Sequence, residues 1–357
     1  MKRQVWFLAA LLMLISLGAS AQKKKTAAAG GKQFQVYAVG FYNQENLFDT
    51  CHDAGKNDYE YLPAKGWNGM KYTSKLKNMS RALADMGTDV LPGVGCAFIG
   101  LAEVENANAL KDLTAQPPLK ARNMQFCHIE GPDKRGIDCA LLYNPALFTV
   151  KNVKLVPYVQ ELAKDSAFKT RGFLTVRGEM AGEDVAVIVC HWPSRFSGSF
   201  YRESGARQTK VVKDSLLREN PEMKVFVMGD MNDDPTNKSM HEVLRAKPEI
   251  SQVGEGDMYN PWYNILAKEG KGTLFYNGSW NLFDQIVMTP NLLNKDAKKK
   301  DYSSLKFWKN HVFRRDYLIQ QEGQYKGSPL RTKAGGRWLN GYSDHLPVVL
   351  YLVKEKK

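Results

Sequence analysis

Short runs of apolar and β-branched residues recur along the chain and are separated by polar segments that contain Gly or Pro. Runs of this length and composition are typical of strands buried in a sheet. The pattern predicts strands at 34–42, 98–104, 137–143, 172–180, 185–191, 224–229, 283–289 and 346–353. Because these strands mix with helices without strict βαβ alternation, the pattern favours a mixed-sheet α/β domain over a doubly wound parallel one.

Helical periodicity is present in three segments. Apolar side chains recur at steps of three and four residues between Leu76 and Met86, and Gly87 follows as a stop signal. A later segment ends at Asn220-Pro221, where proline disfavours a helical residue before it. The segments predicted to be helical are 74–86, 204–219 and 238–246.

The first residues have the pattern of an export signal. Lys2-Arg3 precedes an almost wholly apolar run from Val5 to Leu17, and Ala19-Ser20-Ala21 forms a small-x-small cleavage site. We expect residues 1–21 to be removed and the protein to be secreted or periplasmic, with an uncleaved N-terminal anchor as the alternative. No later segment is apolar enough to form a transmembrane helix.

The remaining chain has ordinary globular composition, with 43% hydrophobic and 24% charged residues among 357. Residues 22–33 are rich in Lys, Ala and Gly, which predicts a flexible linker. Residues 34–357 show no internal repeat, and we expect them to form a single domain. The oligomeric state stays open.

Cysteine usage leaves the disulfide pattern open. An oxidising compartment permits disulfides, but five cysteines are an odd number, so at least one is free or pairs between chains. Cys139 and Cys190 lie inside apolar runs and are expected in the core. The spacings match no zinc motif.

The positive charge is unevenly distributed along the chain. The formal net charge is +13, and residues 295–337 alone hold 12 Lys/Arg against four Asp/Glu. Aromatic residues, such as Trp308 and Tyr317, are interleaved with these basic residues. Such a block suits contact with nucleic acid or an anionic membrane surface, although a solvated surface is an equal alternative. We expect the block to aid substrate binding and to take no part in the chemistry.

Rare polar side chains lie where the predicted strands end or begin. The residues that follow strand ends are Asn43, Glu103, His191, Asp230 and Asn232, and those that open strands are Asp138, Asp284, Asp344 and His345. In a mixed sheet, one edge collects the ends of some strands and the beginnings of their antiparallel neighbours. Each residue alone has an ordinary explanation as a cap, turn or surface pair. The repeated placement predicts a site for a hard cation such as Mg²⁺, which prefers oxygen ligands.

The segments around these polar residues match, in chain order, the motifs of the DNase-I-like endonuclease/exonuclease/phosphatase superfamily. The chain resembles a secreted, bacterial-type member of this superfamily. The matching motifs are Tyr42-Asn43-Gln44-Glu45-Asn46, Gly100-Leu101-Ala102-Glu103-Val104, Arg135-Gly136-Ile137-Asp138, His191-Trp192-Pro193, Gly229-Asp230-Met231-Asn232, Phe283-Asp284-Gln285-Ile286 and Ser343-Asp344-His345. The resemblance implies an α/β four-layer sandwich of two packed mixed β-sheets flanked by helices. It also implies hydrolysis of a phosphate ester by direct attack of water.

The resemblance implies roles for the residues near the metal and the attacking water. Glu103 is similar to the main Mg²⁺ ligand, with Asn43 and Asp344 in the same metal region, and Mn²⁺ or Ca²⁺ are alternatives to Mg²⁺. Asp230 resembles the group that orients or deprotonates the attacking water. Asn232 resembles the amide that positions this water.

The resemblance also implies roles for two histidines. His191 and His345 are similar to the imidazoles that contact the scissile phosphate, and which one acts as acid or base stays open. Asp284 would orient His345, and Asp138 would orient His191. A carboxylate beside a histidine fixes its tautomer and raises its pKa.

The motifs identify the chemistry and leave the substrate open. Arg195 follows His191-Trp192-Pro193 and is expected to bind substrate, because arginine there can hold a phosphate while nearby aromatics stack a base. The favoured hypothesis is a secreted nuclease that acts on DNA or RNA. The alternatives are a sphingomyelinase or phospholipid phosphodiesterase, an inositol-phosphate phosphatase and an inactive binding protein on the same scaffold.

Overall fold

All eight predicted strands are present, and they belong to the two large sheets of a computed structural model. The structure describes residues 32–356 except 163, 164, 166 and 297. The predicted export signal and residues 22–31 of the predicted linker lie outside the described residues. Residues Phe34–Lys357 form one compact unit.

Both large sheets are mixed, and strands are numbered here in chain order. The first sheet has six strands, in the spatial order β14 (Lys306–Val312), β17 (Val348–Glu355), β1 (Phe34–Leu47), β2 (Cys96–Val104), β4 (Asp138–Tyr143) and β3 (Gln125–His128). The second has seven strands, in the order β5 (Thr149–Val156), β6 (Phe173–Met180), β7 (Glu183–His191), β8 (Lys224–Asp230), β13 (Asp284–Met288), β10 (Met258–Tyr259) and β9 (Ala246–Lys247). The pairs β1–β2, β7–β8 and β9–β10 are parallel, and the other pairs in these sheets are antiparallel.

Two short hairpins and several helices complete the described structure. The hairpins pair β11 (Leu274–Tyr276) with β12 (Ser279–Asn281) and β15 (Lys333–Ala334) with β16 (Arg337–Trp338). The α-helices are α1 (Gly69–Asp85), α2 (Ala107–Thr114), α3 (Pro117–Lys120), α4 (Ser199–Glu219) and α5 (Tyr263–Ala267). The 3-10 helices are Tyr59–Tyr61, Pro63–Lys65, Arg195–Ser197, Ile250–Gln252, Pro290–Leu292 and Asp316–Leu318.

The predicted helices differ from the observed ones at their ends. α1 begins at Gly69 instead of 74, because the Asn68 side chain accepts a hydrogen bond from Lys71 N and caps the first turn. α4 begins at Ser199 instead of 204. The helix predicted over 238–246 is wrong.

That segment forms only a π-helical turn at Ser239–Val243. Leu244 N bonds to Ser239 O at 2.9 Å, which is the wider hydrogen-bond step of a π-helix. Arg245 then adopts a positive φ of 60°, which ends the helical path before β9.

Apolar side chains divide the structure into four layers. The inner faces of the two sheets pack on each other through residues such as Phe41, Phe98, Val187 and Phe226. The outer face of the first sheet is covered by α1 and α2, through residues that include Leu76, Met79, Leu110 and Leu113. The outer face of the second sheet is covered through α4 residues Ala206 and Leu216 and by Met240. The four-layer sandwich of two mixed sheets is therefore confirmed.

Cys139 and Cys190 are buried in the core, as predicted, and all five cysteines carry free thiols. Cys51 is exposed and the others are buried. Among the described helices, none combines the length and the apolar character that a membrane span requires.

Candidate active site

One edge of the sandwich collects the polar residues at the strand ends. β1, β2, β7 and β8 end at this edge, whereas β4, β13 and β17 begin near it because they run antiparallel to their neighbours. In the second sheet, Asp230 pairs with His191 on one side and with Asp284 on the other. The strand register thus brings residues from distant parts of the chain into one site.

Asp230 lies at the centre of this site. Its Oδ2 accepts a hydrogen bond from Asn43 Nδ2 at 3.0 Å. The same oxygen lies 3.6 Å from Nε2 of His191 and 3.8 Å from Nε2 of His345. Its Oδ1 accepts a hydrogen bond from Asn232 N at 2.9 Å. Burial raises the pKa of Asp230 to about 6, so this carboxyl group can accept a proton close to neutral pH.

His345 is paired with Asp284 inside the protein. Asp284 Oδ2 lies 2.7 Å from Nδ1 of His345, and both side chains are buried. Burial alone would lower the pKa of His345, but the negative charges of Asp284 and Asp230 outweigh it and hold the pKa well above its usual range. These carboxylates therefore favour the charged form of His345.

His191 has a different electrostatic environment. Its Nε2 lies 3.8 Å from Oε1 of Glu103, and its Nδ1 is buried without a hydrogen-bond partner among the described residues. Burial, followed by the positive charge of Arg171, holds the pKa of His191 well below its usual range. The surroundings therefore favour the charged form of His345 and the neutral form of His191.

Asp138 does not orient His191, in contrast to the expectation from the resemblance. Asp138 Oδ2 lies 3.1 Å from Nε2 of His128, and its Oδ1 accepts a hydrogen bond from Gly131 N at 3.0 Å. His128 is on β3, which pairs with β4. Asp138 therefore ties two neighbouring strands and the loop between them, and no carboxylate of the described residues is hydrogen-bonded to Nδ1 of His191.

Glu103 points into the site from a distorted end of β2. The pairing of β2 with β4 shifts register between Ala102 and Val104, and Glu103 has a positive φ of 61°. Such a bulge redirects the side chain. Glu103 Oε2 accepts a hydrogen bond from Asn46 N at 3.0 Å and lies 3.9 Å from Nη2 of Arg135.

Backbone strain is concentrated at this edge. Glu45, Asn46, Glu103 and Asn232 have positive φ values of 45°, 58°, 61° and 50°. Non-glycine residues in this region cost on the order of 1 kcal/mol or more each, and they cluster at functional sites where other contacts hold them in place. The hydrogen bonds to Glu103 and Asp230 supply such contacts.

Asp344 is held by an arginine that the sequence motifs did not identify. Arg331 Nη2 donates to Asp344 Oδ2 at 2.8 Å, and Arg331 Nε donates to Oε1 of buried Glu45 at 3.3 Å. Glu45 belongs to the first matching motif, but no sequence signal connects it with Arg331, which lies 286 residues later. Arg331, like Arg135, is therefore a site residue that the sequence analysis missed.

The guanidinium of Arg195 is hydrogen-bonded to other residues of the protein. Its guanidinium donates to Asn232 O, Asn281 Oδ1, Asp234 Oδ2 and Asn237 Oδ1, at 3.3, 3.1, 2.9 and 3.1 Å. Asn232 is also fixed through its side chain, whose Nδ2 donates to Trp192 O at 2.8 Å. Arg195 thus links its own segment to the 232–237 loop and to β12, and it positions Asn232; 43% of its side chain is exposed, and the predicted substrate contact stays a prediction.

A cleft of about 970 Å³ opens beside Asp344. The two short hairpins, with turns at Asn277-Gly278 and Gly335-Gly336, form part of its walls. Its aromatic side chains are Trp67, Phe275, Tyr276, Tyr325 and Trp338. Its charged side chains are Lys65, Lys71, Arg331 and Lys333 together with Glu45, Glu60 and Asp344.

The basic block at 295–337 is divided between the two ends of the sandwich. Tyr302 O accepts a hydrogen bond from Glu355 N at the far end of β17, whereas His345 precedes the start of that strand. Ten residues of extended chain span roughly 30 Å. Lys298–Lys300 precede Tyr302 in the chain and are exposed, so this part of the block lies away from the candidate site, and the expectation that the block aids binding stays a prediction for its later part. Arg331 and Lys333 alone among its basic residues line the described cleft.

The donor set around Glu103 fits a hard divalent cation. Partial burial raises the pKa of Glu103, and its nearest cationic group is Arg135 at 3.9 Å, so its negative charge is incompletely compensated. Asp344 contributes a second carboxylate, and Asn43 contributes an amide oxygen that also accepts a hydrogen bond from Glu45 N. Oxygen donors of this kind suit Mg²⁺.

A tighter acidic group is formed by Asp230, Asp284 and His345, whose ligand atoms lie within 4.8 Å of one another. It is the weaker candidate for the cation, because Asp284 is already paired with His345 at 2.7 Å. A second such group, His128, Glu130 and Asp138, lies beside Lys56, whose Nζ is 2.9 Å from Oε1 of Glu130.

The sequence match decides the family. Residues 38–354 match the model of the Endonuclease/Exonuclease/phosphatase family. The chain belongs to this family. Together with the fold and the site, this membership makes the protein a hydrolase of phosphate esters, and it confirms the superfamily that the motifs indicated.

Solved structures share this fold at low sequence identity. An endonuclease/exonuclease/phosphatase family protein from Bacteroides thetaiotaomicron is 16% identical, with a TM-score of 0.54, and the match covers 91% of this chain and 97% of that one. A mannosyl-6-phosphatase from the same organism is 15% identical, with a TM-score of 0.54 and coverages of 88% and 99%. D. rerio TDP2, complexed with a single-strand DNA product, is 14% identical, with a TM-score of 0.51 and coverages of 89% and 98%. No curated protein matches the chain.

Proposed function

We propose that the protein is a metal-dependent phosphodiesterase that cleaves nucleic acid, DNA or RNA, by direct attack of water. The observation that carries this assignment is the cleft beside Asp344, where five aromatic and four cationic side chains lie next to the catalytic edge. Aromatic faces stack bases, and basic side chains pair with phosphates. The cleft favours single strands, because the bases of a duplex are already stacked on each other. The fold neighbour D. rerio TDP2, which is complexed with a single-strand DNA product, is consistent with this choice.

Glu103 would hold a divalent cation, with Asn43 and Asp344 in the same region. When bound there, Mg²⁺, or alternatively Mn²⁺ or Ca²⁺, neutralises charge on the scissile phosphate. The protein contributes the fixed position of Glu103, which follows from the bulge in β2 and the hydrogen bond from Asn46 N.

Asp230 is the proposed base for the attacking water. Its pKa of about 6 places it close to the optimum for proton transfer near neutral pH. Asn43 and Asn232 fix its two oxygens, and the Asn232 side chain is itself anchored on Trp192 O. The Oδ1 of Asn232 makes no hydrogen bond to a described residue and can accept one from the water.

The two imidazoles have different proposed roles. Protonated His345 donates from Nε2 towards the phosphate and supplies the proton that the leaving oxygen needs, while Asp284 holds the ring. Neutral His191 donates a hydrogen bond to a phosphate oxygen where negative charge develops. The water oxygen forms the new P–O bond, the bond to the leaving oxygen breaks, and the water proton passes to Asp230.

The proposal is tested by offering Mg²⁺-loaded protein plasmid DNA, single-stranded DNA, RNA, sphingomyelin, inositol phosphates and a sugar phosphate in parallel. We expect cleavage of the single-stranded nucleic acids, and Asp230→Asn should abolish it. Trp338→Ala should slow cleavage of single strands about 5-fold or more, because base stacking contributes about 1–3 kcal/mol per base. Intact DNA and RNA together with a hydrolysed lipid or phosphomonoester would contradict the nuclease assignment.

We also propose that residues 1–21 direct export and are removed, that 22–33 form a linker, and that 34–357 are the catalytic domain. The support is the basic, apolar and small-residue order of the first 21 positions. A secreted or periplasmic nuclease would meet nucleic acid released into its surroundings.

A further inference from the structure

Arg331 lies where the cleft meets the catalytic carboxylates. Its Nη2 donates to Asp344 at 2.8 Å, its Nε donates to Glu45 at 3.3 Å, and all three side chains line the cleft. These two bonds use one side of the planar guanidinium. Its Nη1 makes no hydrogen bond to any described residue, and the side chain is 44% exposed. The Nη1 side of the Arg331 guanidinium is therefore free to bind a ligand in the cleft.

The neighbouring residue Thr332 fixes the position of Arg331 through its hydrogen bonds. Glu45 Oε2 accepts a hydrogen bond from Thr332 N at 2.5 Å. Buried Lys75, on α1, donates to Thr332 Oγ1 at 2.6 Å and to Tyr342 O at 2.5 Å. The segment that carries Arg331 is thus tied both to the first strand and to the first helix. A pre-positioned guanidinium loses little freedom when it binds an anion.

We propose that Arg331 binds a second phosphate group of the substrate, the one adjacent to the scissile phosphate on the cleft side. This inference rests on the proposed nuclease function and deepens it, because only a substrate with consecutive phosphates can use the contact. Guanidinium forks match the geometry of phosphate oxygens, and such charge-assisted bonds are stronger than neutral ones. The contact would select polynucleotides over substrates that carry a single phosphate.

The first test compares two substrates at saturating Mg²⁺. Bis(4-nitrophenyl) phosphate has only the scissile phosphate, whereas oligothymidylate also has its neighbours. For Arg331→Ala we expect kcat/KM to fall on both substrates, because the variant also releases Asp344, and to fall about 10- to 100-fold further on the oligonucleotide, the range of a lost charge-assisted bond. The salt dependence of oligonucleotide binding should flatten by about 0.7 in log–log slope, the value for one phosphate contact on a single strand.

Two control variants distinguish loss of the phosphate contact from a general loss of charge or structure. Arg331→Lys keeps a positive charge beside Glu45 and Asp344 but removes the planar fork, so it should fold normally and still lose the preference for oligonucleotide. Arg315→Ala is the matched control, because Arg315 also pairs with two carboxylates, Asp85 and Asp89, and lies outside the cleft lining. It should leave both activities unchanged.

A third measurement separates this inference from the nuclease assignment. With bis(4-nitrophenyl) phosphate as reporter and free Mg²⁺ held constant, inhibition by pyrophosphate should weaken about 10-fold more in Arg331→Ala than inhibition by inorganic phosphate does. If the wild type cleaves no nucleic acid, the nuclease assignment fails and this inhibitor pair still decides the role of Arg331. Equal losses on both substrates and both inhibitors, or no loss on any, would overturn the inference. Equal losses would mean that Arg331 only holds Asp344 and Glu45 in place.

Discussion

Asp284 Oδ2 lies 2.7 Å from Nδ1 of His345, and this pair is buried at the edge of the sandwich that forms the candidate active site. The pair keeps the pKa of His345 raised, so the imidazole is charged below that pKa and loses its proton as the pH rises through it. Any stability gained from this charge is fully present below the unfolded-state pKa of about 6.5 and is lost as the pH rises through the folded-state value.

Asp284→Asn should therefore shift the alkaline limb of the kcat/KM profile to lower pH, because it removes the charge that raises the pKa of His345. The loss of rate at neutral pH should be smaller than the loss of about 100-fold or more expected for His345→Ala. The measurement is the pH profile of both variants on bis(4-nitrophenyl) phosphate. If Asp284→Asn were the more damaging change with an unshifted profile, Asp284 would need a direct role such as metal binding.

Glu103→Gln should remove most activity and leave the fold intact. The amide oxygen of Gln can still accept the hydrogen bond from Asn46 N, but the negative charge that would attract a divalent cation is lost. We expect a rate loss of about 100-fold or more, together with weaker Mn²⁺ binding in calorimetry. EDTA should abolish the activity of the wild type in the same assay. Near-normal activity of the variant at ordinary Mg²⁺ would remove Glu103 from the metal site.

Asp138→Asn should affect stability more than catalysis. The carboxylate holds His128 and Gly131 N and makes no contact with His191, so the change weakens buried hydrogen bonds away from the reaction. We expect a loss of about 1–3 kcal/mol in the free energy of unfolding, and kcat within a few-fold of the wild type. Urea unfolding and steady-state kinetics measure the two effects. A large drop in kcat with unchanged stability would support the role that the resemblance implied.

Replacement of Lys298, Lys299 and Lys300 by Gln should leave KM and its salt dependence unchanged. These residues are in the part of the basic block near the far end of β17, roughly 30 Å of extended chain from His345. The measurement is oligonucleotide cleavage between low and moderate salt. A raised KM with a flatter salt dependence would mean that the oligonucleotide extends along the sandwich and contacts these lysines.

The exported protein should begin at Gln22. The prediction follows from the small residues at Ala19 and Ala21, which fit a signal-peptidase site. N-terminal sequencing of protein recovered outside the cytoplasm checks it. Met1 on exported protein would indicate an uncleaved anchor.

The sequence predicted the large elements well because burial controls them. The eight predicted strands are apolar runs enclosed between layers. Two long strands, β5 and β14, were missed because their side chains are exposed or only half-buried, so they lack a continuous apolar run. The short strands β9, β10, β15 and β16 have two residues each and leave no periodic signal. The incorrect helix over 238–246 had adequate local propensity, but a π-turn and the positive φ of Arg245 ended it.

The candidate site was predictable only where it depends on strand ends. Asp230 lies between His191 and Asp284 because of the sheet register. The sequence predicts this grouping, because each of the three residues lies at the end or the beginning of a predicted strand. Side-chain pairing is different, because it depends on how individual side chains pack and not on where strands end. Neither the pairing of Asp138 with His128 nor the contact between Arg331 and Asp344 has a spacing rule that sequence could reveal.

Phe34 and Glu355 are directly paired across β1 and β17, at the end of the sandwich away from the catalytic residues. A short Gly/Ser connection between these two positions would join the strands without crossing the site, so the domain is suited to circular permutation. New termini could then open at an exposed turn such as Ala181-Gly182. For the same reason, attaching the natural chain to a solid support through residues before Phe34 would leave the substrate cleft facing the solution.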